Sequence, residues 1–243
     1  LNTEETGLLL TKANEAFGTE INDILLTALG LAVKKTFHLS QVLLAFEGHG
    51  REPILDDVNI NRTIGWFTSL YPVLLEFPGP DEYDSHIKQT KERLRQIPNK
   101  GIGYGILKYL TPAGQKQEMT FKLTPEIGFN YLGQIGSNFE NSSFGASFGV
   151  TGKEQLPGFG EKREHTLEIS GIISGGQLDM TIAYSNKQFK IETIKCLWEN
   201  YRAELSAIIA FCSSQKEKEL TPSDFTYNKL SVNTIDALEA MFN

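Results

Sequence analysis

The sequence predicts an α/β fold of α+β character, with a mixed sheet flanked by helices. Three observations carry this. Short apolar runs bounded by glycine, proline and polar clusters alternate with amphipathic stretches along the 243 residues. Residues 166–173 place Leu167, Ile169, Gly171 and Ile173 at alternate positions, and 178–184 do the same with Leu178, Met180, Ile182 and Tyr184. Ser174-Gly175-Gly176 between these runs calls for a hairpin, which a purely parallel sheet would not contain. Finally, Ile191, Ile194, Trp198, Tyr201, Leu205, Ile208 and Cys212 step by three and four, the spacing of a helix with one wide apolar face.

The other elements follow in order. Residues 19–37 read as a helix: Ile21, Ile24, Leu25, Leu29, Leu31 and Ala32 keep close to a 3.6 period, and Asp23 puts negative charge in its first turn. Residues 41–46 form a buried strand, and 70–77 a second one closed by Pro78-Gly79-Pro80. A charged amphipathic helix over 84–96 stops at Pro98, and 102–110 make a short helix or turn. A third strand covers 126–132. Residues 138–160, rich in Gly, Ser, Asn and Phe, read as a long loop or loose hairpin. The polar run 213–219 marks a boundary, giving a main body at 1–213 and a linker at 214–243. Within that linker, 232–242 can form a short helix with Ile235, Leu238, Met241 and Phe242 on one side, which needs a partner surface to be stable.

Composition narrows the functional classes. Hydrophobic content of 40% and charged content of 22% are those of a globular protein able to bury a core. A net charge of −7 without a long basic run argues against a nucleic-acid partner. No run of about 18 apolar residues is present, so neither a membrane span nor a membrane partner is expected, and no signal peptide is visible. Cys196 and Cys212 fall about 24 Å apart along one predicted helix, too far to pair, and read as core thiols in a reducing compartment. The four histidines are scattered and no Cys/His cluster exists, so no metal is expected. The chain opens on Leu1, as expected of a piece of a longer polypeptide or a processed product.

Chemistry concentrates in Phe46-Glu47-Gly48-His49-Gly50-Arg51-Glu52, directly after the strand 41–46. Its glycines allow a sharp turn that can gather charged groups in one cavity. A carboxylate at the edge of an apolar sheet is a candidate proton-transfer group, because burial raises its pKa toward the working range. The same residues would also suit a charged surface turn with a Glu–Arg pair. Gly101-Ile102-Gly103-Tyr104-Gly105 lacks the preceding strand and the Gly-Lys-Ser/Thr of a nucleotide loop, so it is discounted as a phosphate cradle. Trp66, Phe67 and Tyr71 read as core, and Arg62 and Asp23 as packing residues.

Five stretches in fixed order carry a family resemblance. They are Asp23-Ile24-Leu25-Leu26-Thr27-Ala28-Leu29-Gly30, residues 47–52, residues 62–72, Gly101-Ile102-Gly103-Tyr104-Gly105 and Phe129-Asn130-Tyr131-Leu132-Gly133-Gln134. Together they resemble the epimerization domains of non-ribosomal peptide synthetases, over residues 11 to 227. Sister condensation domains are similar more loosely. The resemblance implies a chloramphenicol-acetyltransferase-like lobe, the second of two that flank an active-site tunnel. The first lobe carries a His-His-x-x-x-Asp-Gly motif. Here His38, His49, His86 and His165 are all non-adjacent and none begins that pattern. The chain is therefore expected to be inactive without its companion lobe.

The implied reaction removes the α-proton of a carrier-bound aminoacyl or peptidyl thioester and returns it on the other face. The resemblance assigns Glu47 to one face, Asn130 and Tyr131 to the tunnel wall, and His49 and Arg51 to supporting roles, although loop structure serves both and a structural ion pair serves Arg51 equally well. It implies no cofactor of the lobe's own, because the substrate arrives on the phosphopantetheine arm of a peptidyl carrier domain. Expected partners are that carrier, the N-terminal lobe and, through the tail, the next synthetase. A basic patch around Lys153 or Lys162 and Arg163 would help an acidic chain meet an acidic carrier. Two alternatives stand beside this reading: a condensation lobe forming peptide bonds, and a non-catalytic platform for carrier docking.

Overall fold

The structure is a computed structural model, and the residues described are 1–54, 57–60, 62–116, 119–134, 163–226, 231–232 and 234–235. Among the described residues, five strands form one mixed sheet: β1 (Gln41–Gly48), β2 (Ser69–Glu76), β3 (Ile127–Gln134), β4 (Leu167–Ser174) and β5 (Gln177–Tyr184). Their spatial order is β2-β1-β3-β4-β5. The two outer pairs, β1–β2 and β4–β5, are antiparallel, while β3 lies parallel to both β1 and β4. The expected hairpin is β4–β5, with Ser174 opposite Gln177.

Strand alternation divides the sheet into two faces. Val42, Leu44 and Phe46 of β1, Phe129 of β3, and Leu167, Ile169 and Ile173 of β4 are buried against helices. Phe46 stacks on Phe129 at 6.1 Å and meets Tyr71 edge-on at 5.5 Å. The opposite face, with Leu43, Leu74, Asn130, Ser170 and Ile172, is half-buried.

Helix α3 (Ile21–Phe37) is buried continuously from Asp23 to Val33, so it is a core helix wrapped on all sides rather than an amphipathic surface one. It packs on α6 (Ile191–Ser214) and on β1. Gly30 lets α3 approach the β2 end, because a Cβ there would overlap the Phe77 ring. Two helices that the sequence reading did not name precede it, α1 (Thr3–Leu10) and α2 (Lys12–Phe17). The start of α1 is fixed by a capping box: the Asn2 side chain accepts from the Glu5 N–H at 2.8 Å, and Glu5 accepts from the Asn2 N–H at 3.3 Å.

The buried stripe of α6 is Ile194, Leu197, Tyr201, Leu205, Ile208, Ile209 and Cys212. Ile191 and Trp198, expected on that stripe, are 46% and 36% exposed. Leu197 and Ile209 are as apolar as the residues beside them, so the sequence admits either phase, and packing on α3 and α2 selects one. The expectation that Trp66 is core is also corrected: it is 89% exposed, Ile64 is fully exposed, and Arg62, expected as a packing residue, is exposed on the same loop. Tyr71 is buried as expected.

Helix α4 (Tyr83–Arg95), followed by the one-turn α5 (Ile102–Gly105), ties the segment after α6 to the body. The ammonium of Lys91, 1% exposed, donates to the Phe17 carbonyl at 2.7 Å and to Asp224 at 2.6 Å. Glu92 accepts from the Ser223 hydroxyl at 2.6 Å, and Lys88 pairs with Glu219 at 2.7 Å. Beyond these contacts, the tail helix expected over 232–242 and the loop over 138–160 lie largely or wholly outside the described residues. Among the described residues, no single helix is long and apolar enough to cross a membrane.

Candidate active site

The C-terminal ends of the parallel strands β1 and β3 sit beside the N-terminus of α3 and border a cavity of about 510 Å³. Ligands of open α/β sheets bind in this kind of crevice. Its walls come from α3 (Glu20 to Asp23), the end of β1 and its following loop (Phe46 to His49, Glu52), Tyr71, the end of α4 (Leu94, Arg95), and Tyr131 to Gly133.

Glu47 owes its position to strand alternation. Phe46 turns into the core, so Glu47 points to the other face, where its register partner on β3 is Asn130. The Asn130 amide donates to Glu47 Oε2 at 2.7 Å. Burial holds the Glu47 carboxyl above the ordinary carboxylate range. The negative charge of Glu168 adds to this, His165 opposes it, and Glu164 adds a smaller push upward. Glu47 is thus a half-buried acid with the Asn130 amide as hydrogen-bond donor and a raised pKa, on the wall of a cavity.

The sequence reading did not single out His165. Its ring lies over β3, with Cδ2 only 2.7 Å from where a Cβ on Gly128 would stand, so the glycine makes room for it. Its Nδ1 lies 3.0 Å from the Pro125 carbonyl. The spacing within the hairpin strand gave no sign that a residue two positions before it lies over β3; only the parallel register brings it near Glu47.

Asn130 and Tyr131, named together from the sequence, lie on opposite faces of β3. Tyr131 packs on the helix side, where the register partner Gly171 leaves space for its ring. It lines the cavity from there, and burial raises its phenol pKa.

His49 and Arg51 have partners other than Glu47. His49 Nδ1 accepts from the Arg51 N–H at 3.0 Å, and its Nε2 lies 3.2 Å from Glu52. Arg51 donates to the Ile60 carbonyl at 2.6 Å and stacks 4.3 Å over the Phe67 ring. The loop that they brace turns at Gly50, whose φ of 64° favours glycine and whose hydrogen faces the Phe67 carbonyl, where a Cβ would overlap. The partners of Arg51 are thus a carbonyl and a ring, and among the described residues it makes no structural ion pair of the kind expected. Of the anticipated basic patch, Lys153 and Lys162 lie outside the described residues, and Arg163 is 3.9 Å from Glu168.

Below the cavity, Asp23 is fully buried. It accepts from Arg95 at 2.9 and 3.3 Å and from the Glu20 N–H at 2.7 Å, which caps α3. Burial raises its pKa, with Arg95 the main opposing influence.

The mixed five-stranded sheet flanked by helices is a chloramphenicol-acetyltransferase-like fold of the condensation type, and the comparisons agree. The Condensation domain family matches residues 1–231, and the chain belongs to that family. It is 46% identical to Gramicidin S synthase 1 of Brevibacillus brevis across 97% of its own length, although it spans only 22% of that protein. Among solved structures, it superposes on the epimerization domain from the third module of tyrocidine synthetase B with a TM-score of 0.78 and 43% identity, covering 88% of this chain and 47% of that one. The first condensation domain of the CDA synthetase shares the fold alone, at a TM-score of 0.54 and 14% identity, over 88% of this chain and 45% of that one. The chain thus spans about half of the solved domains and about a fifth of the synthetase.

Proposed function

We propose that this chain is the second lobe of a peptide-synthetase epimerization domain and that Glu47 moves the α-proton on one face of a carrier-bound thioester. The observation that carries this is the state of Glu47: a half-buried carboxyl with a raised pKa, steadied by Asn130 at 2.7 Å on the wall of a substrate-sized cavity. A base whose pKa approaches the working pH combines an adequate ionised population with useful proton affinity. In this scheme the Cα–H bond breaks as the proton passes to a Glu47 carboxylate oxygen, and the electron pair moves onto the thioester oxygen. The remaining N–H of the Asn130 amide would stabilise that enolate. Reprotonation from the opposite face yields the D form and requires a second acid, which the resemblance assigns to the companion lobe.

The substrate would reach the cavity on the phosphopantetheine arm of a peptidyl carrier domain, and the lobe needs no further cofactor. The segment 214–243 would act as linker and contact to the next synthetase. The cavity and Glu47 together favour this reading over that of a docking platform.

The test is α-deuterium uptake in D₂O by the thioester on its carrier, in the intact two-lobe domain, comparing the parent with Glu47→Gln. Uptake and D product in the parent, reduced by about 10²-fold or more in the variant, are expected. No uptake in either, with peptide-bond formation once an acceptor amine is supplied, would assign the chain to the condensation branch.

A further inference from the structure

The chain beyond α6 keeps returning to α4. Lys88, Lys91 and Glu92 hold Glu219, Asp224 and Ser223 there, and the same helix meets the chain once more near its end. Ser231 opens a helical turn. Its hydroxyl accepts from the Thr234 N–H at 3.2 Å, and its carbonyl accepts from the N–H groups of Thr234 and Ile235, each at 3.1 Å. This is the bonding of a helix N-cap. Val232 lines a cavity of about 230 Å³ together with Leu74 and Leu75 of β2 and Thr90, Arg93 and Gln96 of α4. Ile235, three residues on, is only 5% exposed. A single helical turn is not stable alone in water, so this one is held by packing. Among the described residues β2 is an edge strand of the sheet, and Arg93 Nε donates to its Leu74 carbonyl at 3.0 Å. Covering an edge with a helix or loop is one way a sheet avoids pairing with other chains.

We infer that the groove between α4 and the edge of β2 is the seat of the chain's own C-terminal helix, and that the seated helix is withheld from a partner. Two observations fix the occupant. Its first turn is in place, with Val232 on the groove wall and Ile235 buried. The tether is also short: residues 225–230 alone join Ser231 to Asp224, which Lys91 clamps to α4 at 2.6 Å. A short tether gives an effective concentration in the millimolar range, so a modest contact keeps the turn docked. Ile235 is the first residue of the tail's expected apolar stripe, with Leu238, Met241 and Phe242. It cannot face its own lobe and a second protein at once. Resting on the reading that the segment 214–243 contacts the next synthetase, release from the groove must precede that contact. The apparent affinity of the tail for its partner is then scaled by the unseated fraction of molecules.

The experiment uses the whole synthetase and Arg93→Trp, which enlarges an exposed groove residue and leaves the tail's own sequence intact. Hydrogen–deuterium exchange of residues 231–242 is read by mass spectrometry. The parent tail should exchange at least about tenfold more slowly than the tail of Arg93→Trp. Removing everything after Thr226 should speed exchange in residues 73–76 of β2 by about threefold or more. Transfer of product is then titrated with the synthetase that accepts it. The acceptor concentration at half-maximal rate should fall by about threefold or more in Arg93→Trp. Parent tail amides exchanging as fast as an unstructured peptide, a result that needs no variant to fold, would overturn the inference. A tail equally protected in parent and variant would overturn the groove as its seat. A tail released in folded Arg93→Trp with the half-maximal concentration unchanged or raised would overturn the withholding. Transfer unaffected by the cut after Thr226 would overturn the reading of the tail as the synthetase contact, and the withholding with it, while the seat stands on the exchange data.

Discussion

Replacing Arg95 with methionine strands a carboxylate. Asp23 is fully buried at the start of α3, and its charge is met by two Arg95 hydrogen bonds and the Glu20 N–H. Removing one partner of a buried pair costs about 3–5 kcal/mol, because the remaining charge stays desolvated. Arg95 is 25% exposed and the Glu20 N–H survives the change, so a loss of about 3 kcal/mol at pH 7.5 is expected. The pH dependence identifies the cause. Burial already raises the folded-state pKa of Asp23, and losing Arg95 raises it further. A carboxyl with a raised folded pKa contributes its full stability below its unfolded value and loses that stability as pH rises through its folded value. The deficit of Arg95→Met should therefore shrink as pH falls from 7.5 toward 5. Asp23→Asn should cost less than Arg95→Met at pH 7.5, because a neutral amide can still accept from Arg95. Urea unfolding followed by far-ultraviolet circular dichroism at both pH values is the assay. A deficit below about 0.5 kcal/mol, or one equal at the two pH values, would refute the assignment of Asp23 as a buried anion held by Arg95.

Two further outcomes follow from individual contacts. Lys91→Met removes the clasp on Asp224, which is 20% exposed; it should cost about 2 kcal/mol and speed tryptic cleavage at Lys216 and Lys218, read by limited proteolysis and mass spectrometry. Glu168→Gln deletes a negative charge that keeps the Glu47 pKa up, so the acid limb of the α-exchange rate should move to lower pH, and His165→Ala should move it higher.

Much of this architecture is legible in local sequence, and the remainder has identifiable physical reasons. The strands and long helices were legible because each carries its own period, as the alternation of β4 and β5 shows. Helices α1 and α2 escaped because 8 and 6 residues give too few turns for a period; the Asn2–Glu5 capping pair was the available signal. Trp66 was misplaced because hydrophobicity alone does not tell an exposed loop from a core. Glu47 stood out through charge density beside an apolar run. Its surroundings did not, since Asn130, His165 and Glu168 are 83 or more residues away in sequence and meet it only through the register of β1, β3 and β4. The same register separates Asn130 from Tyr131, which adjacency had joined.

The measurement that bears most directly on Glu47 as a base for one face is α-deuterium uptake from each enantiomer separately. The intact two-lobe domain is given carriers loaded with the L or the D residue, and initial uptake is compared for the parent and Glu47→Gln. The parent should label both. The variant should lose uptake from one enantiomer by about 10²-fold or more and keep the other within about tenfold, because the opposing face retains its own base. Equal rates in parent and variant from both enantiomers, with the variant folded, would show that Glu47 holds the sheet edge and does not carry the proton.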